Sequence, residues 1–283
     1  MIYEELKIQF DLNKPIDVLI SVGRYINNNA WFVICDKGDC YLFDNNGNEI
    51  DIKKLKLLNE WLIPKDIKKI IVPDSVEIIE DRTFYECRNL KSIVIPNSIK
   101  CINRHIFAYC ENLTSITIPD SVEIIENRAF FNCIKLTSIT IPNSVKSIES
   151  YAFYACESLT SINIPDSVEH IGKGIFCECE NLKSITISDS IENIGSWAFY
   201  GCINLTSVNI PDSVKNIGNN AFARCKNLTS INIPDSVESI GDDAFIGCTN
   251  LKSIIFKGKT IDQMKSMKYY PWEIEDESII KCI

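Results

Sequence analysis

The sequence has little histidine and no excess of positive charge. Only two histidines, His105 and His170, occur in 283 residues, and the formal net charge is −9. A protein that covers nucleic acid carries a basic face instead. No run approaches the roughly 18 apolar residues of a membrane-spanning helix, and the start MIYEELKIQF lacks a secretory signal pattern. We therefore expect a cytoplasmic protein with no membrane span and no nucleic-acid partner.

The motifs that usually carry chemistry are missing as well. The chain contains no phosphate-binding loop, no dinucleotide fingerprint and no HExxH zinc motif. Neither the Cys177 and Cys179 pair nor Cys35 and Cys40 supplies a four-ligand set with zinc spacing. The two histidines occupy non-equivalent positions and are interpreted as surface residues. We predict no catalytic residue, no cofactor, no metal site and no enzymatic activity.

What the sequence has instead is a period of 23 residues. Phenylalanine and leucine recur at this interval through the middle of the chain, and so does cysteine, at Cys87, Cys110, Cys133, Cys156, Cys179, Cys202, Cys225 and Cys248. A fixed period of about 20–50 residues is typical of a solenoid, in which each coil buries its apolar side chains against its neighbours. We count eight copies between residues 67 and 256.

Each repeat predicts one coil of the solenoid. In SITIP, Ile116 and Ile118 alternate with Ser115 and Thr117, which is the period of a strand with one buried face. Pro119 ends that strand because it has no N–H for a ladder. The segment that follows returns the chain, and AFFNC is predicted to close the coil as a short helical turn. The fold class is an α/β solenoid.

The repeated letters resemble a known family. The spacing L-x-x-I-x-I-P followed by A-F-x-x-C is similar to the BspA-like leucine-rich repeats over residues 67–256. The resemblance implies a right-handed leucine-rich-repeat arc of about eight 23-residue coils, with a parallel β-sheet on the concave face. It also implies protein recognition and adhesion, often at a cell surface.

The two ends of the array are predicted to be caps, which protect the terminal coils from solvent. Residues 1–66 are an N-terminal capping region or a small α+β domain, and residues 257–283 are a C-terminal helical cap. In the first, residues 30–43 predict a hairpin and residues 52–61 have helical apolar spacing. In the second, Thr260 and Gln263 predict a capping box for a helix with Ile261, Met264 and Met267 on one side, ended by Pro271.

The cysteine column and the glycine column both have a structural interpretation. A buried free cysteine behaves as a small hydrophobe, and in-register cysteines point in parallel rather than toward each other, which disfavours disulfides. Glycine replaces other residues at one position of four coils, Gly172, Gly195, Gly218 and Gly241. We interpret these glycines as a turn with relaxed backbone demands.

Two surfaces are candidates for binding. The first is an uncharged hydroxyl and amide surface on the predicted strands, at Ser115, Thr117, Ser138, Thr140, Ser161, Asn163, Ser184 and Thr186. Such rows can also serve only to stabilise adjacent strands. The second is an aromatic surface beside the closing turns, at Tyr85, Tyr109, Phe131, Tyr151, Tyr154, Trp197 and Tyr200, which are residue types that favour protein interfaces.

The leading hypothesis is a non-enzymatic recognition scaffold, a monomer or weak oligomer, that binds a protein partner through one of these surfaces. One alternative is that the Ser/Thr/Asn face binds a repetitive non-protein ligand such as glycan or ice. Another alternative is an enzyme activity hidden in residues 1–66, although that stretch has no histidine.

Overall fold

The computed structural model describes residues 63, 65, 67–72, 74–272, 274 and 276–283 with their side chains, and the backbone of five strands before them. Those strands are β1 (Leu19–Arg24), β2 (Ala30–Cys35), β3 (Cys40–Asp44), β4 (Glu49–Ile50) and β5 (Leu57–Leu58). β1 to β4 form an antiparallel sheet in chain order. β2 pairs with β3 from Ala30 against Asp44 to Ile34 against Cys40, which confirms the predicted hairpin.

The helix expected over residues 52–61 is wrong where the structure describes that segment. Leu57 and Leu58 form strand β5 and pair in parallel with Ile78 and Ile79. Strand pairing with the first repeat thus replaces the helical face. Ile52, Leu55 and Trp61 lie outside the described residues, as do residues 1–18. The domain boundaries predicted from the sequence stay a prediction.

The middle of the chain is a stack of coils, each contributing a longer strand and a two-residue strand. The longer strands are β6 (Lys69–Ile71), β8 (Ser92–Val94), β10 (Ser115–Thr117), β12 (Ser138–Thr140), β14 (Ser161–Asn163), β16 (Ser184–Thr186), β19 (Ser230–Ile233) and β21 (Ser253–Phe256). The two-residue strands are β7 (Ile78–Ile79), β9 (Cys101–Ile102), β11 (Ile124–Ile125), β13 (Ser147–Ile148), β15 (His170–Ile171), β17 (Asn193–Ile194), β18 (Asn216–Ile217) and β20 (Ser239–Ile240).

The strands pair in parallel with a register equal to the sequence period. Ser115 pairs with Ser138 and Thr117 with Thr140, 23 residues apart in each case. On the side of the longer strands, the coil between β16 and β19, which the structure describes in full, has no strand and keeps one parallel bridge, from Asn209 to Asn232. The predicted solenoid is therefore confirmed, with sheets on two sides of each coil.

The interior is a column of identical side chains. Phenylalanines from successive coils stack with ring centroids 5.2–5.8 Å apart, and all of them are at most 1% exposed: Phe84, Phe107, Phe130, Phe153, Phe176, Phe199, Phe222 and Phe245. Burial of a large apolar side chain stabilises by about 1.5–3 kcal/mol. Every coil thus contributes one fully buried ring to a continuous core.

The coils close with turns and not with the short helix predicted for AFFNC. Arg128 and Asn132 have φ of 56° and 58°, and the same two positions have positive φ in every repeat. A residue in this left-handed region cannot continue a right-handed helix. Alternate N–H groups, of Arg128, Phe130 and Asn132, donate instead to carbonyls of the following coil. These bonds run in one direction from coil to coil, from Arg82 to Arg224.

The C-terminal segment places one short helix and one strand at the end of the stack. Helix α1 (Ile261–Lys265) begins at Thr260, and the capping box predicted with Gln263 is present. Met264 is buried and Met267 packs against the core. Ile261 is 58% exposed, so the prediction that it lies on the same side of the helix as the two methionines is wrong. The helix ends at Lys265, before Pro271. A 3-10 turn (Glu277–Ile279) leads into β22 (Ile280–Cys282), which pairs in parallel with β21.

The four repeated glycines are explained by close approach and not by a relaxed turn. None of Gly172, Gly195, Gly218 and Gly241 has positive φ. A Cβ on Gly218 would lie 2.4 Å from the backbone nitrogen of Ser196 in the preceding coil. The interpretation of relaxed backbone demands is therefore wrong, because close approach of the preceding coil excludes a Cβ at Gly172, Gly218 and Gly241, whereas at Gly195 the nearest atom would lie 3.1 Å away.

Candidate binding surface

The strand face, defined here as the outward residues of the longer strands, is uniform and polar at its centre. All eight candidate residues on it are exposed, from Ser115 to Thr186. Their in-register pairing puts hydroxyl over hydroxyl from coil to coil, as in Ser161 against Ser184 and Thr117 against Thr140. At the first coils the face turns apolar, with Ile71 37% and Val94 52% exposed. No aromatic ring and no ion pair occupies its described central rows.

The closing turns present a different surface, which we call the aromatic strip: Tyr85, Tyr109, Phe131, Tyr151 and Tyr154. Each ring is half-buried and contacts the next. Tyr85 and Tyr109 meet edge to face at 5.6 Å between centroids, and Tyr109 and Phe131 lie 5.5 Å apart. Phe131 stacks on Tyr154 at 4.5 Å, and Tyr151 meets Tyr154 edge to face at 6.2 Å. Five of the seven aromatic candidates thus belong to one contact chain.

Trp197 and Tyr200, the other two aromatic candidates, lie beyond the strip. No described ring contact joins them to Tyr154. Each carries a cation on its face instead: the Lys173 ammonium is 3.9 Å from the Trp197 centroid, and the Arg224 guanidinium is 5.3 Å from the Tyr200 centroid. Such contacts contribute about 0.5–1 kcal/mol at exposed sites.

A pocket of about 460 Å³ opens at the N-terminal end of the strip. Its walls are Arg82, Tyr85, His105, Tyr109, Arg128 and Phe131. Burial, and then the nearby arginines Arg128, Arg82 and Arg104, lower the pKa of His105, so its ring is neutral at pH 7. This pocket was not predicted, because His105 was compared only with His170 and not with the residues one period away. The sequence does contain the pattern that indicates it, since Arg82, His105 and Arg128 follow one another at intervals of 23 residues.

The cysteine column has a bonding role that the sequence did not predict. Each thiol of the column from Cys110 to Cys248 donates to a phenylalanine carbonyl of the preceding coil, as from Cys110 Sγ to Phe84 O at 3.1 Å and from Cys133 Sγ to Phe107 O at 3.1 Å. All described cysteines are free, which agrees with the interpretation as structural thiols. Burial raises the pKa of Cys133 well above its usual value, so the thiolate needed for nucleophilic attack does not form near neutral pH.

Two further features of the described residues bear on chemistry. No group of three or more Cys, His, Asp or Glu side chains is placed to hold a metal ion there. Within the same residues, no helix has the length and apolar character required to cross a membrane.

The repeat geometry and the matching sequence pattern together identify the family. A family description of the BspA type leucine-rich repeat region matches in six copies, over residues 63–182 and 146–274. The chain belongs to the BspA-type leucine-rich repeat family. The stacked phenylalanines and the thiol-to-carbonyl bonds are thus features of a BspA-type solenoid. Among proteins with curated descriptions, none matches this chain.

Solved structures with the same fold come from several bacteria. A leucine-rich repeat protein from Bacteroides ovatus is 28% identical with a TM-score of 0.53, and the match covers 82% of this chain and 70% of that one. The Treponema pallidum leucine-rich repeat protein is 27% identical, also with a TM-score of 0.53, over 76% of this chain and 89% of that one. Both are similar to this chain in the repeat array.

Proposed function

We propose that this BspA-type chain is a non-enzymatic scaffold that binds a protein partner, and that the partner contacts the aromatic strip. The observation that carries the proposal is the unbroken contact chain of half-exposed rings from Tyr85 to Tyr154. Family membership supports a scaffold in general terms, since the repeats of leucine-rich repeat proteins build an extended binding surface. The cytoplasmic location predicted from the sequence stays a prediction.

The physical reason for preferring the strip lies in the cost of ordering side chains. Tyr and Trp supply a large contact area with few rotatable bonds, and they dominate measured hot spots. The rings of the strip already hold one another in place, so binding them costs little additional side-chain entropy. Serine and threonine on the strand face offer less area per residue and are under-represented at hot spots.

The test compares three variants of the whole chain as bait against an extract of the native host. Tyr154→Ala removes the ring that contacts both Phe131 and Tyr151. We expect a captured partner, once identified and purified, to bind this variant about tenfold or more weakly. Trp197→Ala tests whether the surface extends beyond the strip.

Thr140→Ala, an exposed change on the strand face, serves as the matched control and should bind normally. Equal affinity for wild type, Tyr154→Ala and Trp197→Ala, together with weaker binding by Thr140→Ala, would place the partner on the strand face and refute the proposal.

The second candidate function is binding of a repetitive non-protein ligand, glycan or ice, by the strand face. The observation in its favour is the in-register hydroxyl array, which repeats at the spacing of parallel strands, about 4.8 Å. Glycan arrays and a thermal-hysteresis assay on the whole chain test it directly. A lack of glycan binding and of any freezing-point depression would remove this candidate.

A further inference from the structure

The pocket at the N-terminal end of the aromatic strip combines cations with apolar walls. Three of its lining residues, Arg82, His105 and Arg128, occupy the same position of three consecutive coils. The other three are the aromatic residues Tyr85, Tyr109 and Phe131. A volume of about 460 Å³ lies within the range of sites that hold small ligands or anchoring side chains, roughly 300–1,000 Å³.

The charged side chains that line this pocket are arginines, and one carboxylate beside it, that of Glu86, accepts a hydrogen bond from Tyr85. Parallel coils repeat about every 4.8 Å, so Arg82 and Arg128 flank His105 on adjacent levels, and Arg104 lies next to it in the chain. Among the described residues, none of these arginines forms an ion pair. Asp81 is the carboxylate that faces His105, and its oxygen accepts the backbone N–H of Arg104 at 3.1 Å. Arg82 and Arg128 are two coils apart with the neutral His105 between them, so a carboxylate placed there gains charged hydrogen bonds from both arginines.

A second, independent observation is an unsatisfied polar atom. Nδ1 of His105 is buried and has no hydrogen-bond partner in the described part of the chain. The ring itself packs edge to face against Tyr85, with centroids 6.5 Å apart. Leaving a buried polar atom unpaired is unfavourable, so rotation of the ring that brings an Nδ1–H to an oxygen acceptor in the pocket is favoured.

The aromatic rings beside the pocket disfavour a sugar or a nucleobase as the occupant. Both ligands stack on free ring faces, whereas Phe131 already stacks on Tyr154 with an interplanar angle of 6°. The Arg128 guanidinium also lies 5.3 Å from the centroid of Tyr151 and 5.9 Å from that of Phe131. The pocket therefore offers arginines beside partly covered aromatic rings, which suits an apolar side chain adjacent to a carboxylate.

The overall charge of the chain sets a limit on the size of the anion. A net charge of −9 repels a long polyanion. The two arginines of the pocket itself come from the first and third coils, so only a short acidic segment gains from both. An acidic residue followed by apolar residues matches the order of the surfaces, from the arginines to Tyr109 and Phe131.

We propose that this pocket receives an acidic side chain of the protein partner, with the apolar residues that follow it lying along Tyr109 and Phe131. The proposal rests on the proposed function and specifies the partner as one that presents a short acidic and apolar segment. Arg82 and Arg128 bind the carboxylate, and His105 Nδ1 contributes a hydrogen bond to it.

The experiment measures binding of fluorescein-labelled peptides to the whole chain by anisotropy, at low and at high salt. The first peptide carries Glu-Glu-Phe-Leu between Gly-Ser flanks, the second replaces both glutamates with glutamine, and the third replaces Phe-Leu with Ser-Ser. We expect the first to bind most tightly and to weaken at high salt. The double variant Arg82→Gln and Arg128→Gln should bind it about tenfold or more weakly, since charged hydrogen bonds are lost.

The matched control is Arg224→Gln, an arginine on the same turn side that lies over Tyr200 and away from the pocket. It should bind the first peptide like wild type. Thermal unfolding of Arg82→Gln distinguishes a binding role of Arg82 from a structural one, because loss of a structural contact would lower the melting temperature. Because Arg82 has no ion pair among the described residues, its removal should leave the melting temperature unchanged or higher.

Three results would overturn the proposal: no binding of the first peptide to wild type, equal binding of the glutamine peptide, or equal weakening by Arg224→Gln. Tighter binding of inorganic phosphate or heparin than of the peptide would identify a phosphate or polyanion site instead, and would also overturn it. The two proposals are separable. If the arginine variants keep the captured partner while Tyr154→Ala loses it, the aromatic strip stands and the pocket assignment fails.

Discussion

Phe153 shows why the same letters return in every repeat. Its ring is 0% exposed and stacks on Phe130 at 5.3 Å and on Phe176 at 5.6 Å. A residue at this position meets copies of itself on both sides, so its best identity is the same in every coil. The phenylalanine, leucine and cysteine columns could therefore be predicted from the sequence, because their environment is set by the period alone.

Phe153→Ala should destabilise the array by about 3–5 kcal/mol, since it empties an interior position between two rings that cannot collapse onto each other. Urea unfolding followed by circular dichroism measures the change. Thr140→Ala, on the exposed strand face, is the control and should cost less than about 1 kcal/mol. A similar cost for both variants would contradict the stacked core.

Alkaline pH should weaken the fold because the buried thiols resist ionisation. Burial raises the pKa of Cys177 to about 12 and that of Cys248 to about 12, from an ordinary value of 9.0. Between these values the unfolded chain releases the protons and the folded chain keeps them. Stability is thus fully present below pH 9 and is lost as pH rises toward 12. Urea midpoints measured from about pH 8 to about pH 10 should fall.

Cys177→Ala is the control for that series, since Ala108 and Ala223 occupy the equivalent position of other coils. The variant should show a shallower dependence on pH than wild type. An unchanged slope would mean that Cys177 does not contribute to the alkaline loss.

Among the secondary-structure elements, the closing turn of each coil is the one whose conformation the sequence did not predict correctly. The segment AFFNC has helical spacing of apolar residues, yet two left-handed residues in each repeat replace the helix with turns. The side chain of Asn112, just before strand β10, likewise bonds outside its own coil, since it donates to Arg88 O of the preceding coil. Contacts between coils decide both cases, and a single repeat does not reveal them.

Gly218→Ala should lower stability by about 1–3 kcal/mol, because the added Cβ would lie 2.4 Å from Ser196 N and force two coils apart. Gly195→Ala is the matched control, since its nearest neighbour would be a carbonyl oxygen at 3.1 Å. Thermal unfolding of both variants measures the difference. Equal melting temperatures would show that the coils separate freely at this position.

For the whole molecule, the period of 23 residues predicts which changes in length the array accepts. The solenoid could be predicted because the same strand pattern occurs in each of eight repeats. The register of Ser115 against Ser138 confirms this prediction. The pocket could not be foreseen. It depends on side chains of three coils that differ in identity, and only their stacking brings Arg82, His105 and Arg128 to one place.

Deletion of residues 134–156 should leave a folded chain that is one coil shorter, because it joins Cys133 to Glu157 in register. Circular dichroism and size-exclusion chromatography test this. The shortened chain lacks Tyr151 and Tyr154, so it should also lose a partner bound to the aromatic strip. Deletion of residues 134–145 is the control and should unfold the array, since it shifts every later phenylalanine out of its column. Equal folding of the two would contradict a stack defined by register.

The one-way hydrogen bonds between successive turns give this side of the stack an electrical polarity. Their dipoles add as they do along a helix, so the first turn ends in carbonyls and the last in amides. At the first end, the Lys65 ammonium donates to Tyr85 O at 2.6 Å. At the other end, the N–H groups of Phe245 and Gly247 have no acceptor among the described residues, and Asp242 and Asp243 place carboxylates in that turn. The two ends of the array are therefore not interchangeable: one favours cations and the other anions.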